Sequence, residues 1–229
     1  MGIVSRFAPS PTGSLHIGGL RTAIFAWFFA KTYDGECLIR FEDTDRQRSK
    51  VEYTQSILES FLWMGIEFDR DPFFQSQAKN RHLQIVKKLL KEGKAYYCNC
   101  STERLKGLRE TQQRAGIKPK YDGKCRELNL DKGSKQVVRF KNPQSGMVNF
   151  KDLVRGSISI SNDELDDLIL VREDGTPTYN LSVVVDDLDM GITHVIRGED
   201  HINNTPRQIN IFKAIGAQLP EYGHVPMIL

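Results

Sequence analysis

The segment from Arg6 to Arg21 combines residue types that can bind a phosphorylated ligand. Its sequence predicts a strand, a turn with two prolines and a glycine, and a helix whose first turn contains His16, Gly18 and Gly19. A helix N-terminus presents free N–H groups and the positive end of the helix dipole, and glycine lets a ligand approach the backbone. The His16 imidazole can also donate to a phosphate oxygen. The pattern predicts either an anion site or a tight strand-to-helix turn with a helix-capping histidine, and these residues alone do not decide between the two.

Three of the four cysteines form a second group with metal-binding chemistry. Cys98 and Cys100 form a C-x-C pair, and 24 residues separate Cys100 from Cys125. Thiolates are common ligands of structural zinc, but a tetrahedral site needs a fourth ligand. The spacing predicts either a zinc site or a knuckle with free thiols, and Cys37 is expected to be a buried core thiol. Three histidines lack the spacing of metal ligands, and we expect structural roles for them: His82, His194 and His224.

Positive charge is concentrated in residues 79–141, which contain 18 Lys or Arg and 6 Asp or Glu, whereas the whole chain has a formal net charge of +3. The resulting net charge of +12 over this segment is typical of a surface that binds a phosphate backbone. The alternative is a solvated lysine face on a helix, which would account for Lys87, Lys88 and Lys91. We favour a nucleic acid as the partner.

The composition is that of a folded globular protein. Of 229 residues, 39% are hydrophobic and 27% are charged, which excludes a disordered chain, a collagen and a coiled coil. No apolar run approaches the ~20 residues that cross a bilayer, and no basic signal-peptide segment opens the chain. Four cysteines are too few for a disulfide scaffold. We therefore expect a cytoplasmic protein with no membrane partner.

Alternating strands and helices must position these residues. Apolar segments predict strands at residues 3–9 and 37–41, each followed by an amphipathic helix, and this order predicts a parallel sheet. The first helix is expected to bury one apolar face: Ile17, Leu20, Ile24, Trp27 and Phe28. A third helix is predicted over residues 79–92, and Thr205 and Pro206 are expected to be the N-cap and first residue of the last helix.

Longer motifs resemble a known family. The string RFAPSPTGSLHIGGLR at residues 6–21 is similar to the HIGH signature of class I aminoacyl-tRNA synthetases, in the form of the bacterial glutamyl-tRNA synthetases. Four more strings match that family in order: RFEDTD at 40–45, YDGKCR at 121–126, DGTPTYNLSVVVDD at 174–187 and VIRGEDHINNTPRQ at 195–208. Glutaminyl-tRNA synthetases instead resemble PEPNG and HIGHAKS, and glutamyl-queuosine tRNA(Asp) synthetases carry HFGSL and EDLD. The resemblance favours the enzyme that charges tRNA, with the tRNA-modifying enzyme as the alternative.

The resemblance implies a glutamate pocket made of guanidinium groups and one carboxylate. Its substrate-binding residues would be Arg6, Ala8, Ser10, Glu42, Tyr179 and Arg197. Within this set, Arg6 is expected to meet a substrate carboxylate and Glu42 to accept the ammonium. The ATP-binding residues, of which the first three are also the catalytic ones, would be His16, Gly18, Gly19, Glu199, Asp200 and His201.

The implied reaction activates L-glutamate with ATP and Mg²⁺ to glutamyl-adenylate and transfers the glutamyl group to the 3′-terminal adenosine of tRNA(Glu). Such catalysis depends on positioning and charge stabilisation, so no nucleophilic side chain is expected. We expect residues 79–141 to contact the tRNA and the protein to be a monomer. A nucleotide-binding module with a decayed synthetase fold is a third hypothesis, and retention of four site residues argues against it: Arg6, His16, Glu42 and Arg197.

The resemblance offers two candidates for the fourth zinc ligand. Some bacterial members carry a histidine where this chain has Glu127, and the queuosine-modifying relative uses a tyrosine four residues before its last cysteine, where this chain has Tyr121. A structural Zn²⁺ is therefore a candidate cofactor, held by Cys98, Cys100 and Cys125, with Glu127 as the fourth ligand and Tyr121 as the alternative.

The expected fold is α/β, with a Rossmann-like parallel sheet and an inserted α+β subdomain that binds the tRNA acceptor end. Residues 1–94 and 166–229 would form the two halves of the catalytic domain, and residues 95–165 the insertion. We find neither a lysine loop like the family's KLSKR signature nor an anticodon-binding domain. We therefore expect an N-terminal portion of a longer enzyme, which alone charges tRNA poorly or not at all.

Overall fold

Ten strands lie in the part of the chain that the computed structural model describes, residues 2–45 and 47–227. They are β1 (Val4–Phe7), β2 (Glu36–Phe41), β3 (Phe73–Phe74), β4 (Ala95–Cys98), β5 (Val137–Phe140), β6 (Met147–Asp152), β7 (Gly156–Ser161), β8 (Ile169–Val171), β9 (His194–Gly198) and β10 (Glu221–Val225). Seven of them form a sheet in the order β3-β2-β1-β9-β10-β6-β7, and β4, β5 and β8 form an antiparallel second sheet. The predicted parallel sheet is confirmed, because every pair in the larger sheet except β6 with β7 is parallel.

Six α-helices connect the strands within the described residues. They are α1 (Ile17–Thr32), α2 (Val51–Trp63), α3 (Lys79–Lys91), α4 (Thr102–Arg114), α5 (Tyr179–Asp189) and α6 (Thr205–Ile215), with short 3₁₀ helices at Gln75–Ala78, Asn162–Glu164 and Glu199–Asn204. None of these helices is long and apolar enough to cross a bilayer.

From β1 the chain passes through α1 to β2, which pairs with one edge of β1. Strand β9 pairs with the other edge of β1, and β10 lies beyond β9. In an open α/β sheet the strand order reverses at one point, between two neighbouring strands. The loops that follow these two strands diverge, and the carboxyl ends of the strands border a crevice. The fold therefore brings together the residues that follow β1, β2 and β9.

The buried face of α1 differs from the prediction. Ile17 is 67% exposed and Phe28 is 58% exposed, whereas Ala23, Ala26 and Ala30 are fully buried. Small side chains allow the helix axis to lie close to the sheet, and three residues of the predicted face, Leu20, Ile24 and Trp27, pack beside them against the core. The prediction was wrong for Ile17 and Phe28 and missed the alanines, because the periodicity of large residues was weighted above that of small ones.

Strand pairing crosses the predicted limit of the insertion at residue 165 in two places. Tyr222 of β10 pairs with Asp152 of β6, so the hairpin of β6 and β7 extends the larger sheet, although it falls within residues 95–165. Across the same limit, β8, which follows residue 165, pairs with β5 in the second sheet. The domain division stays a prediction, and its outer limits at residues 1 and 229 lie outside the described residues.

Candidate active site

A cavity of about 680 Å³ opens at the carboxyl ends of β1, β2 and β9. Its lining includes eleven of the twelve residues that the sequence assigned to glutamate and ATP: Arg6, Ala8, Ser10, His16, Gly18, Gly19, Glu42, Tyr179, Arg197, Asp200 and His201. The twelfth, Glu199, does not line it, because its carboxylate pairs with Arg155 and accepts a hydrogen bond from the Met227 amide at 2.8 Å. The structure thus gathers residues from two distant parts of the chain around one space.

Arg6 and Arg40 share a carboxylate at the base of the cavity. The Nε of Arg6 donates to Oδ1 of Asp187 at 3.1 Å, and Nη1 of Arg40 donates to the same oxygen at 2.5 Å. The other end of Arg40 donates from Nη2 to Oε1 of Glu42 at 3.2 Å. All four groups are nearly shielded from solvent, so each charge depends on its partner.

This network fixes the ionisation of the two carboxylates in opposite ways. Burial alone would raise the pKa of Asp187, but the guanidinium groups of Arg40 and Arg6 lower it below its usual value. Burial raises the pKa of Glu42, and the same two arginines only partly offset this. A cation placed against Glu42 would stabilise its ionised form.

Arg197 lies in the cavity without a carboxylate partner among the described residues. Its Nε donates to Nε2 of His224 at 3.1 Å, and its Nη2 donates to the hydroxyl of Thr205 at 2.8 Å. The Nη1 atom is buried and has no hydrogen-bond partner in the described part of the chain. Burial lowers the pKa of this guanidinium, and so does the positive charge of Arg6, so an anionic ligand would stabilise it.

The sequence did not indicate Arg40, Asp187, Asp152 or Thr205 as site residues, and His224 was expected to be structural. Thr205 was predicted to cap α6, but Asn204 holds the N-cap position and the Thr205 side chain binds Arg197 and His224 instead. A signal was present for Arg40 and Asp187. A charge inside an apolar strand or helix must be paired, and these two residues interrupt the apolar runs of β2 and α5.

His16 caps the helix that borders the cavity. Its Nδ1 accepts a hydrogen bond from the Gly19 amide at 3.3 Å, so the imidazole lies over the first turn of α1. A Cβ atom at Gly18 would lie 3.2 Å from the imidazole carbon Cε1 and from Nδ1, a tight contact that requires the ring to shift by a few tenths of an ångström. Gly18 therefore makes room for the His16 ring.

An aromatic pair covers another side of the cavity. The hydroxyl of Tyr179 lies 3.1 Å from Nδ1 of His201, and the two rings stack with centroids 5.8 Å apart. Burial and the nearby Arg197 both lower the pKa of His201, although Asp200 opposes the change. The His201 imidazole is therefore held in its neutral form, which suits contact with an uncharged base better than a bond to a phosphate.

The three predicted zinc ligands lie together in the structure. Sulfur atoms of Cys98, Cys100 and Cys125 are within 4.8 Å of one another. The hydroxyl oxygen of Tyr121 lies 3.4 Å from the Cys98 sulfur and 3.6 Å from the Cys100 sulfur. Burial opposes ionisation of Cys98, but hydrogen bonds from Tyr121 and Arg139 lower its pKa to about 7.

The two candidates for a fourth ligand have different surroundings. Tyr121 is 9% exposed, and its hydroxyl accepts a hydrogen bond from the Cys125 amide at 2.9 Å. The side chain of Glu127 is 74% exposed, and its carboxylate pairs with Lys141 at 3.0 Å and Arg126 at 3.6 Å. The geometry therefore favours the tyrosine.

Several cations of residues 79–141 have partners within the protein. Arg126 pairs with Asp167 at 2.5 Å, Arg104 pairs with Asp122, and the buried Arg139 donates to the Asp167 carbonyl. Eight others have exposed side chains on α4 and the segment that follows it: Lys106, Arg109, Arg114, Lys118, Lys120, Lys124, Lys132 and Lys135. Two of the eight also contact the protein, since Lys120 donates to the Asp163 carbonyl at 2.7 Å and Arg114 lies 3.9 Å from Glu110. We call these eight exposed cations the basic surface.

Comparison with known proteins points to one family. Residues 2–229 match the family model described as tRNA synthetases class I (E and Q), catalytic domain. The chain is 57% identical to the glutamate–tRNA ligases of Nitrosospira multiformis, over 99% of this chain, and of Legionella pneumophila, over 100% of it. It spans about half the length of these curated relatives, 49% of each.

Comparison with solved structures points to the same family. A glutamate tRNA ligase from Elizabethkingia meningosepticum, solved in complex with its amino acid, superposes with a TM-score of 0.91 at 33% identity, over 100% of this chain and 50% of that one. The methionyl-tRNA synthetase of Mycobacterium tuberculosis, at 12% identity and a TM-score of 0.61 over 98% of this chain and 57% of that one, shares the fold alone. With its sheet, its cavity and a family match over nearly every residue, the chain belongs to the class I tRNA synthetase catalytic domains of the glutamyl and glutaminyl group.

Proposed function

We propose that the chain binds L-glutamate and ATP in this cavity, forms glutamyl-adenylate and passes the glutamyl group to the 3′-terminal adenosine of tRNA(Glu). The proposal rests on two buried groups that line the same cavity: a guanidinium with a free donor and a carboxylate. Arg197 supplies the first and Glu42 the second. An amino acid with a carboxylate side chain satisfies both groups at once.

The charges in the cavity match those of glutamate. Three guanidinium groups and two carboxylates leave a formal net charge of +1, whereas free glutamate carries −1. We assign the side-chain carboxylate to Arg197, because this arginine has no counterion and gains most from an anion. Glutamine would leave the Arg197 charge buried and unpaired, which is the physical basis of discrimination. The ammonium would contact Glu42.

The N-terminus of α1 supplies the phosphate side of the reaction. Free N–H groups of its first turn and the His16 ring would bind the ATP phosphates, and Asp200 and His201 would contact the adenosine, while Tyr179 would border the glutamate. Mg²⁺ bound with ATP would screen its phosphate charges. The α-carboxylate of glutamate attacks the α-phosphorus, pyrophosphate leaves, and the α1 N-terminus stabilises the negative charge that moves onto the phosphate oxygens.

The tRNA would lie across the basic surface of α4 and the segment after it. Exposed Lys and Arg side chains bind a phosphate backbone without reading its sequence, and α4 has no fully buried residue, so most of its residues are exposed. We infer that this surface, within the predicted insertion at residues 95–165, positions the acceptor end. The 55–57% identity to glutamate–tRNA ligases supports charging over tRNA modification.

Calorimetric binding of L-glutamate tests the amino-acid part of the proposal. The titration is carried out with Mg²⁺ and a non-hydrolysable ATP analogue, and L-glutamine is the control. We expect saturable binding of glutamate and at least a tenfold weaker response to glutamine, because an amide cannot neutralise Arg197. Equal binding of both amino acids, or of neither to a folded chain, would overturn the proposal.

A single-turnover transfer experiment separates charging from modification. Preformed labelled glutamyl-adenylate, excess protein and tRNA are mixed, and ribonuclease digestion then locates the label. We expect any label to be on the terminal adenosine. Label in an anticodon fragment that contains queuosine would support the tRNA-modifying enzyme instead.

We also propose that Zn²⁺ is held by Cys98, Cys100, Cys125 and Tyr121. Zinc–sulfur bonds of about 2.3 Å in a tetrahedron place sulfur atoms roughly 3.8 Å apart, which is close to the spacing of this cluster. The ion would crosslink the end of β4 to the segment after α4, and so hold the base of the basic surface.

Metal analysis of matched variants tests the ligand set. Tyr121→Phe removes the phenol oxygen and Glu127→Gln removes the alternative carboxylate. We expect one zinc per wild-type chain, a zinc affinity at least tenfold weaker in Tyr121→Phe, and no change in Glu127→Gln. The reverse order would assign Glu127, and a wild-type chain without zinc would leave a knuckle of free thiols.

A further inference from the structure

A buried histidine connects the β6–β7 hairpin to Arg197. His224 Nδ1 lies 2.5 Å from Oδ2 of Asp152, and on the opposite edge of the ring Nε2 lies 3.1 Å from Nε of Arg197. The side chains of Asp152 and His224 are both fully buried. No local sequence pattern indicated that these residues, 72 positions apart, meet behind Arg197.

The hydrogen bonds define which imidazole nitrogen carries the proton. A guanidinium Nε can only donate, so Nε2 of His224 must accept from Arg197, and Nδ1 must donate to Asp152. Burial of the imidazole lowers its pKa to about 4, since the hydrogen bond to Asp152 offsets this only in part and the nearby Arg197 charge adds to the lowering, so the ring is neutral near pH 7. If Nε2 were protonated, its N–H would face the Nε–H of Arg197, and two donors would oppose each other.

Asp152 is itself held in one orientation. Its Oδ1 accepts hydrogen bonds from the amides of Val154 and Arg155, both at 2.9 Å, and from the His224 amide at 3.2 Å. Only Oδ2 is left to accept from the imidazole. The backbone amides of the hairpin turn therefore fix the orientation of the Asp152 carboxylate. The carboxylate orients the His224 imidazole, and the imidazole orients the Arg197 guanidinium.

We propose that Asp152 and His224 are positioning residues for substrate recognition: they hold Arg197 so that its unpaired Nη1 faces the side-chain carboxylate of glutamate. This inference rests on the proposed function, because it assigns that carboxylate to Arg197. Two of the three guanidinium nitrogens are used by His224 and Thr205, so the direction of the third is set before any ligand binds. Such preorganisation favours a carboxylate over an amide.

A second buried histidine–aspartate pair gives an internal control. His82 Nε2 lies 2.6 Å from Oδ1 of Asp186, and both side chains are 1% exposed. The second oxygen of Asp186 accepts from Gln75 at 2.7 Å, and no arginine bonds to the His82 ring in the described residues. Variants of His82 therefore carry the stability cost of disturbing a buried pair without touching Arg197.

Two substitutions of the histidine separate its two bonds. In His224→Gln the side-chain oxygen can reach the Nε2 position and accept from Arg197. In His224→Asn the shorter amide can still donate to Asp152 but withdraws the acceptor. We expect His224→Asn to reduce the preference for a non-hydrolysable glutamyl-adenylate analogue over its glutaminyl form by about 10- to 100-fold, and His224→Gln to keep it within about threefold.

Asp152→Asn tests the direction of the proton. The three backbone amides would hold the asparagine oxygen at the Oδ1 position, which leaves its NH₂ group facing Nδ1 of His224. The imidazole would then carry its proton on Nε2 and oppose Arg197. We expect a loss of preference as large as in His224→Asn, although the volume of the core is unchanged.

Equilibrium binding of the two analogues and of adenosine monophosphate to each folded variant gives the readout, with His82→Gln as the control. We expect adenosine monophosphate binding within about threefold of wild type in every variant, since the glutamate side alone is affected. If His224→Asn does not fold, the comparison of Asp152→Asn with His82→Gln decides. A preserved glutamyl preference in Asp152→Asn or His224→Asn would overturn the inference, whereas a wild-type chain without preference would overturn the proposed function itself.

Discussion

The two sides of the cavity treat buried positive charge differently. On the side formed by β1 and β2, Arg6 and Arg40 are neutralised by Asp187 and, for Arg40, by Glu42. On the side formed by β9 and β10, Arg197 is bonded only to neutral groups. Both sides are equally dry, since none of the three arginines is more than 4% exposed.

This difference distinguishes arginines that stabilise the fold from an arginine that is available to bind a ligand. A guanidinium with a carboxylate partner contributes to the fold and has little to gain from another anion, whereas one with neutral partners remains attractive to a ligand. Arginine content alone therefore does not define a carboxylate pocket. The partners of each arginine do, and they are set by residues far away in the sequence.

The largest expected effect is on the neutralised side. Asp187→Asn leaves two buried guanidinium groups without their shared counterion, and we expect the free energy of unfolding to fall by about 3–5 kcal/mol. Urea denaturation near pH 7 measures it. Asp189→Asn is the matched control, because its partner Arg81 is exposed and such a pair contributes no more than about 1 kcal/mol. Equal losses in the two variants would contradict the distinction between the two sides.

The next effect is a pH dependence that originates on the Arg197 side. The pKa of His224 falls from an ordinary 6.5 to about 4 in the folded protein, so between these values the unfolded state binds more protons. Stability should therefore decrease as the pH falls from 6.5 to 4, by roughly 3 kcal/mol from this group. Glu42 acts in the opposite sense, because its raised pKa favours the folded state at low pH.

Urea unfolding of the wild type and of His224→Gln between pH 4 and 7 measures the contribution of the Asp152–His224 pair, because the hydrogen bond from His224 lowers the pKa of Asp152 and the other titrating groups are common to both proteins. The two stability curves should converge as the pH falls. Parallel curves would show that His224 is not held neutral by its surroundings.

A third prediction compares the two arginines directly. Arg197→Lys loses the planar fork that contacts His224, Thr205 and the ligand together, and we expect about 10- to 100-fold weaker binding of the glutamyl-adenylate analogue. Arg6→Lys keeps a cation beside Asp187, with Arg40 still in place, and should cost less than about tenfold. Calorimetry on both variants measures the ratio. A larger loss for Arg6→Lys would place the recognised carboxylate on the other side of the cavity.

The smallest effect concerns the phosphate end. In Gly18→Ala the new methyl group would push the His16 ring from its place, and we expect a several-fold loss of affinity for an ATP analogue. Stability should change by less than about 1 kcal/mol, because alanine favours the helix while the contact opposes it. Gly107→Ala in α4, where a Cβ meets open space, is the control. Identical nucleotide affinities for the two variants would remove His16 from the phosphate site.

Short sequence strings contain the parts of the site that lie at the ends of elements, although the role of Glu42 was implied only by the family resemblance. The turn after β1, the histidine at the start of α1 and the acidic end of β2 are all visible in short strings, and the cavity contains them. These residues can be read from sequence because the βα connection that places them is itself local.

Long-range pairs could not be predicted in the same way. Arg40 and Asp187 are 147 positions apart, and Asp152 reaches His224 only because β6 pairs with β10 across the chain. The buried alanines of α1 were missed for another reason, since tight packing needs small side chains whereas periodicity searches favour large ones. Glu199 shows a third limit, because a residue next to site residues in sequence can point to Arg155 instead of the cavity.

The central claim is that the Arg197 side of the cavity recognises a carboxylate. Its most direct test is calorimetric binding of the glutamyl-adenylate analogue to the unmodified chain, with the glutaminyl form as the control. We predict tighter binding of the glutamyl form by at least tenfold, since only it can pair with Nη1 of Arg197. Equal affinities for the two forms would contradict the claim.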